Sequence, residues 1–161
     1  MRLEGAKDLI RNLDKIGVDG EKAIQDAVNN TAIDVHNTAV KSIQKKGKGE
    51  VYDITFFTKN GKSIPAGLRT GQNLSATHQA SKPGDPPASD TGTGANSIKF
   101  KFGKLSAVVW TDQKYMAWLE FGTRRIEARP WLLPSLKINE KKFRKRIDKL
   151  IEKATRRVDN D

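Results

Sequence analysis

Cysteine is absent from this chain, and its absence excludes disulfides, thiolate metal sites and cysteine nucleophiles. Aromatic residues are scarce, at 7% of 161 residues, and no apolar run approaches the length of a membrane span. Residues 1–5 lack the apolar core of a secretory signal, so we expect no such signal. The absence of cysteine fits synthesis in a reducing cytoplasm. The length suits one hydrophobic core, and we expect a single domain over residues 1–161.

Positive charge, by contrast, is abundant. Lys and Arg number 30 against 19 Asp and Glu, a net charge of +11. Residues 137–157 alone hold ten basic side chains against three acidic ones. Such an excess favours contact with polyanions or with acidic faces of partner proteins. Lys142, Lys145 and Lys149 are the candidate contacts with DNA or an acidic partner, and the alternative is a solvated helix face.

Hydrophobic periodicity predicts an α+β fold, with a small antiparallel sheet and with a long N-terminal helix and a basic C-terminal helix packed on one face. Gly and turn residues separate the segments. The predicted elements are helices over 3–16 and 21–44, a strand over 51–57, a hairpin over 98–109, a short helix over 115–121 ended by Gly122, and a last helix capped by Ser135.

The stretch over residues 58–96 is the least regular part of the chain. It holds repeated Gly, Pro, Ser and Asn, no aromatic ring, and only Ile64, Leu68 and Leu74 as large aliphatic residues. So few apolar side chains cannot offset the entropy of ordering the segment. We therefore predict a long extended loop that is mobile in the isolated chain and ordered against neighbouring subunits.

Residues that carry chemistry form no catalytic pattern. His36 and His78 stand apart from any metal-ligand spacing, and Asp85, Asp90 and Glu120 would form an acidic cluster only if tertiary structure brought them together. No phosphate-binding loop and no serine-hydrolase elbow is present. The sequence therefore predicts no enzyme activity, no cofactor and no metal site.

Two segments have more specific patterns. In the first, Pro86-Pro87 favours stiff, extended backbone, and Asp90-Thr91-Gly92 favours a turn whose carboxylate binds backbone N–H groups. The first segment reads Pro83-Gly84-Asp85-Pro86-Pro87-Ala88-Ser89-Asp90-Thr91-Gly92.

In the second segment a short helix ends at a glycine, and a proline redirects the chain a few residues later. We expect Phe121 and Trp131 to be buried in one apolar cluster, and Glu120 to accept hydrogen bonds from Arg129 or from turn amides. The second segment reads Leu119-Glu120-Phe121-Gly122-Thr123, followed by Ala128-Arg129-Pro130-Trp131-Leu132.

At these two segments the chain resembles the tail-completion, or head–tail joining, minor tail proteins of long-tailed, siphovirus-type bacteriophages. Members carry a Pro-Gly-acid-Pro-Pro-Ala-x-Asp-Thr-Gly segment before a Ser-Ile strand, here Ser97-Ile98. They also carry Leu/Val-Glu-Phe-Gly-Thr and then Ala-Arg-Pro-Phe/Trp-Leu, in the same order. This chain departs at residues 93–96, Thr-Gly-Ala-Asn, where many members have Leu or Arg-Leu.

The resemblance implies a structural virion protein at the neck or head-proximal tail, present in the host cytoplasm during assembly. It implies a hexameric homo-oligomer ring around the DNA channel, partnered by connector and tail-tube or terminator proteins, with no membrane association. A sequence-independent basic DNA-binding protein is the alternative, although the aromatics do not alternate with Lys or Arg as a base-stacking platform would. A phage nuclease comes third, since no acidic cluster for metal binding is evident.

Overall fold

The computed structural model describes residues 6–15, 20–45, 47–59, 62–65, 72–89 and 92–158. The predicted α+β class is confirmed, with a long helix toward each end of the chain. The elements in chain order are α1 (Ala6–Lys15), α2 (Gly20–Ile43), β1 (Val51–Lys59), β2 (Lys62–Pro65), β3 (Gln72–Gln79), α3 (Thr93–Asn96), β4 (Ile98–Gly103), β5 (Ser106–Thr111), α4 (Lys114–Phe121) and α5 (Leu132–Val158).

The chain divides into two compact units. The single domain expected over residues 1–161 stays a prediction. The first unit comprises Met1–Val40, Ser97–Asp112 and Leu132–Asp161, and so contains α1, most of α2, the β4–β5 hairpin and α5. The second unit comprises Lys41–Asn96 and Gln113–Trp131, and contains β1, β2, β3, α3 and α4.

In the described part of the chain the strands form two antiparallel sheets, whereas the sequence predicted one. The second unit holds a three-stranded sheet in the order β2-β1-β3, with Phe57 opposite Ile64 and Ile54 opposite Ala76. The prediction of a long loop over 58–96 is therefore wrong for β2 and β3. Both strands pair with β1, whose β-branched and aromatic residues favour a strand. The prediction failed because the pairing is made by backbone hydrogen bonds, which the amino-acid composition of β2 and β3 does not reveal. The predicted mobility of this stretch stays a prediction, and Leu68 lies outside the described residues.

Helix α2 supplies the main apolar face of the first unit. Ile24, Ala27, Val35 and Ala39 recur at helical spacing along one side of α2, and all are at most 5% exposed. The helix begins at Gly20, whose N–H donates to Asp14 Oδ1 at 2.8 Å. A Cβ on this glycine would lie 2.6 Å from the carbonyl oxygen of Ile10, so only glycine allows α1 to approach this closely.

Helix α5 packs on α2 through polar as well as apolar contacts. Asn139 is fully buried, and its Nδ2 donates to the Asp34 carbonyl, to Thr38 Oγ1 and to the Ser135 carbonyl. Two turns further on, the Arg146 guanidinium donates to Asp34 Oδ2 at 2.7 Å. The prediction that Ser135 caps this helix is wrong. The helix begins at Leu132, because Pro134 is tolerated in the first turn, where its missing N–H leaves no hydrogen bond unmade. Ser135 therefore lies inside the helix, where it is buried.

The predicted hairpin is confirmed, with its turn at Lys104 and Leu105. Leu105 adopts a positive φ of 49°, and its N–H donates to the side chain of Gln25 on α2 at 2.6 Å. His36 Nε2 lies 3.2 Å from the carbonyl oxygen of Ile98, and its ring meets Phe100 edge-on at 5.1 Å. His36 therefore has a packing role between α2 and β4.

Candidate functional site: the aromatic face of helix α4

Helix α4 presents its aromatic residues outward and an acidic residue inward. Met116 and Glu120, one turn apart, are 1% and 8% exposed. Trp118 and Phe121 lie on the opposite side and are 53% and 81% exposed. The prediction that Phe121 is buried is therefore wrong. The helix turns its Met116–Glu120 face to the core, and residues at 118 and 121 consequently point away from it.

Glu120 has a structural partner that explains its burial. One carboxylate oxygen, Oε2, accepts the backbone N–H of Trp131 at 2.7 Å. The interpretation of Glu120 as an acceptor for a turn amide is thus confirmed. The Trp131 side chain is 2% exposed, as predicted, and its indole Nε1 donates to the carbonyl oxygen of Met116 at 3.1 Å. These two bonds bind the segment before α5 back onto α4.

The glycine that ends α4 has a backbone requirement. Gly122 adopts φ 75°, and its N–H donates to the Trp118 carbonyl at 2.8 Å. Thr123 then closes a tight turn: its N–H donates to the Ile126 carbonyl at 2.7 Å. Its hydroxyl oxygen accepts the N–H groups of Arg125 and Ile126. The chain therefore reverses immediately after the exposed Phe121.

Arg129 and Pro130 complete the return of the chain. The Arg129 N–H donates to the Leu119 carbonyl at 2.6 Å, and Pro130 is half-buried. The Arg129 Nε is buried and has no hydrogen-bond partner among the described residues.

The Pro-rich segment lies against this same turn. The Gly84 N–H donates to the Ala128 carbonyl at 2.9 Å, which joins the two segments singled out in the sequence. Pro86 is half-buried and Pro87 is buried. The following Ser89 N–H donates to the Ile43 carbonyl at 2.9 Å. The structure thus brings together most of the motif residues, although Asp90 and Thr91 lie outside the described residues.

Residues 93–96, where the sequence differs from the pattern of the tail-completion proteins, form the single turn of α3. A Cβ on Gly94 would lie 3.0 Å from both Met116 Sδ and Tyr115 Oη, so this turn packs directly on α4. Ala95 is 1% exposed. Gly92, at the end of the first motif, has φ 79° and leads into this turn. Both motifs therefore support the inner side of α4 and leave its outer side uncovered.

We call the exposed set Tyr115, Trp118 and Phe121 the aromatic ridge. Tyr115 is 36% exposed, and partial burial raises the pKa of its phenol above the ordinary value. Large aromatic side chains left on a surface typically mark a site of protein–protein contact. Sequence reasoning missed the ridge, although the signal was present. Met116 and Glu120 share one helical face, and Trp118 and Phe121 share another.

A second surface is the basic face of α5. Lys142, Lys145 and Lys149 are all exposed, at spacings that place them on one side of the helix. Neighbouring arginines are engaged: Arg144 pairs with Glu140 at 2.8 Å and Arg146 pairs with Asp34 at 2.7 Å. The face can contact phosphates or acidic side chains as a set of point charges.

Within the part of the chain that the structure describes, no group of three His, Asp or Glu side chains is placed to hold a metal ion. The side chain of His78 lies outside that description. No described helix combines the length and the apolar character that crossing a membrane requires. Comparison with family models, with curated proteins and with solved structures finds no match to this chain.

Proposed function

We propose that this protein is a structural virion component of a long-tailed bacteriophage, a tail-completion or head–tail joining protein that forms a ring at the neck. Two short motifs in the order typical of that family support the proposal, and Gly84 and Ala128 join them by a hydrogen bond. Among the contacts of the motif residues are hydrogen bonds between backbone groups and one between the Glu120 carboxylate and a backbone amide. Such contacts hold the chain in place, which is a structural role.

One observation carries most of this proposal. The buried hydrogen bond between Glu120 and the Trp131 N–H fixes α4 with its aromatic ridge facing outward. This orientation buries a carboxylate and leaves the apolar surfaces of Trp118 and Phe121 in water, which is unfavourable for an isolated subunit. The arrangement becomes favourable once another protein surface covers the ridge. An assembly protein fits this pattern better than an enzyme does.

Deletion of the gene from the phage genome tests the proposal. We expect lysates with DNA-filled heads and separate tails that fail to join, or tails with an abnormal end, seen by negative-stain electron microscopy. Complementation with the wild-type chain restores joined particles, and a gold-labelled chain marks the neck. Normal infectious virions from the deletion would overturn the assignment.

The alternative function, sequence-independent DNA binding, is favoured by one observation, the exposed basic face of α5. If this face contacts DNA, reversing all three charges lowers duplex affinity and flattens its dependence on salt. The expected change in the slope of log K against log salt is roughly 2.7, about 0.9 for each phosphate that the protein no longer neutralises. The three reversals are Lys142→Glu, Lys145→Glu and Lys149→Glu.

A matched control separates a local effect from a general loss of positive charge. It reverses three exposed lysines elsewhere and leaves the same net charge. If both triple variants lose affinity equally, α5 has no special role and its lysines are a solvated face. In the phage, a DNA-lined passage predicts poor genome retention or ejection only for the α5 variant. The control reversals are Lys41→Glu, Lys82→Glu and Lys101→Glu.

A further inference from the structure

The chain reversal after α4 carries arginines that pair with no carboxylate in the described part of the chain. They are Arg124, Arg125 and Arg129, and we call this set the arginine turn. Every other arginine whose side chain the structure describes lies within 4.0 Å of a carboxylate, in the pairs Arg11–Asp8, Arg144–Glu140, Arg146–Asp34 and Arg156–Glu152. The arginine turn therefore concentrates unneutralised positive charge at one place in the second unit.

Backbone contacts hold the arginine turn at the end of α4. The tight turn closed by Thr123 places Arg124 and Arg125 at its tip, where both are exposed. The Arg129 N–H donates to the Leu119 carbonyl at 2.6 Å, so Arg129 lies at the base of the turn, directly beside α4. The arginine turn and the aromatic ridge are consequently neighbouring surfaces.

Arg129 has the least satisfied guanidinium of the set. Its Nε is buried and has no hydrogen-bond partner among the described residues, while the residue as a whole is half-buried. A guanidinium carries five N–H donors, and shielding part of it from water without an acceptor is unfavourable. The outer Nη groups are the part that a half-buried side chain leaves within reach of a ligand. A carboxylate matches these groups, because its two oxygens accept two parallel N–H bonds from the planar fork.

We propose that the arginine turn binds a carboxylate on an extended segment of a partner protein, and that an apolar side chain beside this carboxylate covers the aromatic ridge. Arg129 holds the carboxylate, and Arg124 and Arg125 attract it. Arginine clusters recognise acidic motifs of peptides in this way. The inference deepens the proposed assembly function, and it rests on that function for the partner being another virion protein.

The exposed area selects a short segment as the occupant. Tyr115, Trp118 and Phe121 are 36%, 53% and 81% exposed. Aromatic side chains bury roughly 150–250 Å² each when fully covered, so the ridge offers roughly 350 Å². A standard interface between folded proteins needs about 800 Å² from each partner. The ridge is too small for such an interface, whereas a segment with one anchoring carboxylate and one or two apolar side chains fits it.

The local charge selects an isolated carboxylate over a polyanion. Glu127 is exposed within the same turn, and Asp85 is exposed in the Pro-rich segment that lies against it. A nucleic-acid backbone is a continuous line of phosphates, so it would meet these acidic side chains as well as the arginines. A polyanion finds a more uniform row of cations on the basic face of α5.

Titration with hydrocinnamate tests the inference, because this small molecule carries one carboxylate and one aromatic ring. The Arg129 Nε–H signal of the full chain is followed in nitrogen–proton correlation spectra, together with the indole N–H of Trp118. We expect both signals to shift and to saturate. Hydrocinnamyl alcohol has the same ring without the charge, and it should bind about tenfold more weakly or less. Equal binding of acid and alcohol, or no saturable shift up to the solubility limit of the acid, would overturn the inference.

Arg129→Met distinguishes a ligand site from a structural role. Because this guanidinium has no partner among the described residues, we expect an unchanged or higher melting temperature. Hydrocinnamate binding, followed at Trp118, should fall about tenfold or more. Arg144→Met is the matched control, since Arg144 pairs with Glu140 in the other unit and its loss should leave binding unchanged. A lower melting temperature with binding retained would assign Arg129 to the fold and would contradict the proposal.

The tip of the turn supplies a variant that does not disturb the fold. Replacing both Arg124 and Arg125 with methionine changes only exposed side chains. We expect hydrocinnamate to bind severalfold more weakly to this double variant. Unchanged binding here and in Arg129→Met would exclude the arginine turn as the site.

Glu127→Gln and Asp85→Asn test whether the chain supplies the carboxylate itself. Each variant removes one exposed acidic side chain near the arginine turn. We expect the Arg129 Nε–H signal to keep its position in both variants before any probe is added. A shift as large as that caused by hydrocinnamate would reveal an internal partner and would overturn the inference. A short oligothymidine that binds more tightly than hydrocinnamate at physiological salt, and is lost in Arg129→Met, would assign the site to nucleic acid instead.

A photo-cross-linking phenylalanine analogue at position 121 identifies the partner in assembled particles. In virions made by complementing the deletion, we expect an adduct with another virion protein, at a segment with Asp or Glu beside a large apolar residue. An adduct with a second copy or with DNA, a segment without an acidic residue, or no adduct would refute this contact. That result, alongside separated heads and tails in the deletion lysate, would leave the assembly role standing. Hydrocinnamate binding by a chain whose deletion yields normal virions would do the reverse.

Discussion

Truncation of Trp131 to alanine is the sharpest test of the turn that supports the aromatic ridge. The indole is 2% exposed and donates to the Met116 carbonyl at 3.1 Å. The backbone bond to Glu120 survives in Trp131→Ala, so the loss comes from the cavity and from the indole hydrogen bond. Large aromatic truncations in cores cost roughly 3–5 kcal/mol, and we expect a value in that range. Trp131→Phe keeps most of the volume and should cost about 1–2 kcal/mol.

Urea denaturation followed by circular dichroism measures these losses. Phe121→Ala is the matched control, because Phe121 is 81% exposed and its truncation should change stability by less than about 0.5 kcal/mol. If the two compact units unfold separately, the loss should fall on the transition of the unit that contains α4. A loss below about 1 kcal/mol for Trp131→Ala, or an equal loss for Phe121→Ala, would refute the reasoning.

Three further outcomes follow from the geometry. Gly122→Ala should destabilise more than Gly84→Ala, because both have positive φ but only Gly122 has backbone within 3.1 Å of an added Cβ; equal melting temperatures would contradict this. Asn139→Asp should cost several kcal/mol more than Asn139→Ala in denaturation, because a buried carboxylate would face three acceptors. A hydrogen bond from Lys99, and to a lesser extent one from Trp110, holds the pKa of Asp112 below its ordinary value. Lys99→Gln should therefore raise the pKa of Asp112 in an NMR titration. In the wild type this carboxylate stabilises the fold above its ordinary pKa, and the stabilisation is lost as the pH falls through the lowered pKa. In Lys99→Gln that pH-dependent stabilisation should be smaller.

The hydrogen-bond roles of the motif residues could be predicted in part from the sequence. The sequence showed that a helix ends at Gly122 and that Glu120 needs a donor, since a glycine stop and a carboxylate near a turn both have local causes. It did not show which donor Glu120 would have. Trp131 is eleven residues away along the chain, and its N–H reaches the carboxylate only after the chain reverses.

The strands β2 and β3 show how a compositional argument fails. Their segments hold few apolar residues, and composition alone favours disorder. They nevertheless pair with β1, because an existing strand offers backbone donors and acceptors to any segment that reaches it. Side-chain content therefore underestimates structure wherever the backbone ladder contributes most of the order.

By itself, the sequence determined the α+β class, the positions of α2, α4 and the hairpin, and the basic face of α5, because periodicity and turn residues act over a few positions. Only the tertiary structure decided the environment of Phe121. An eight-residue helix with apolar residues on two faces can bury either one, and the hydrogen bond from Trp131 to Glu120 turned the Met116 face inward. Burial is decided by contacts that are distant in sequence, and local patterns do not encode which face a short helix turns to the core.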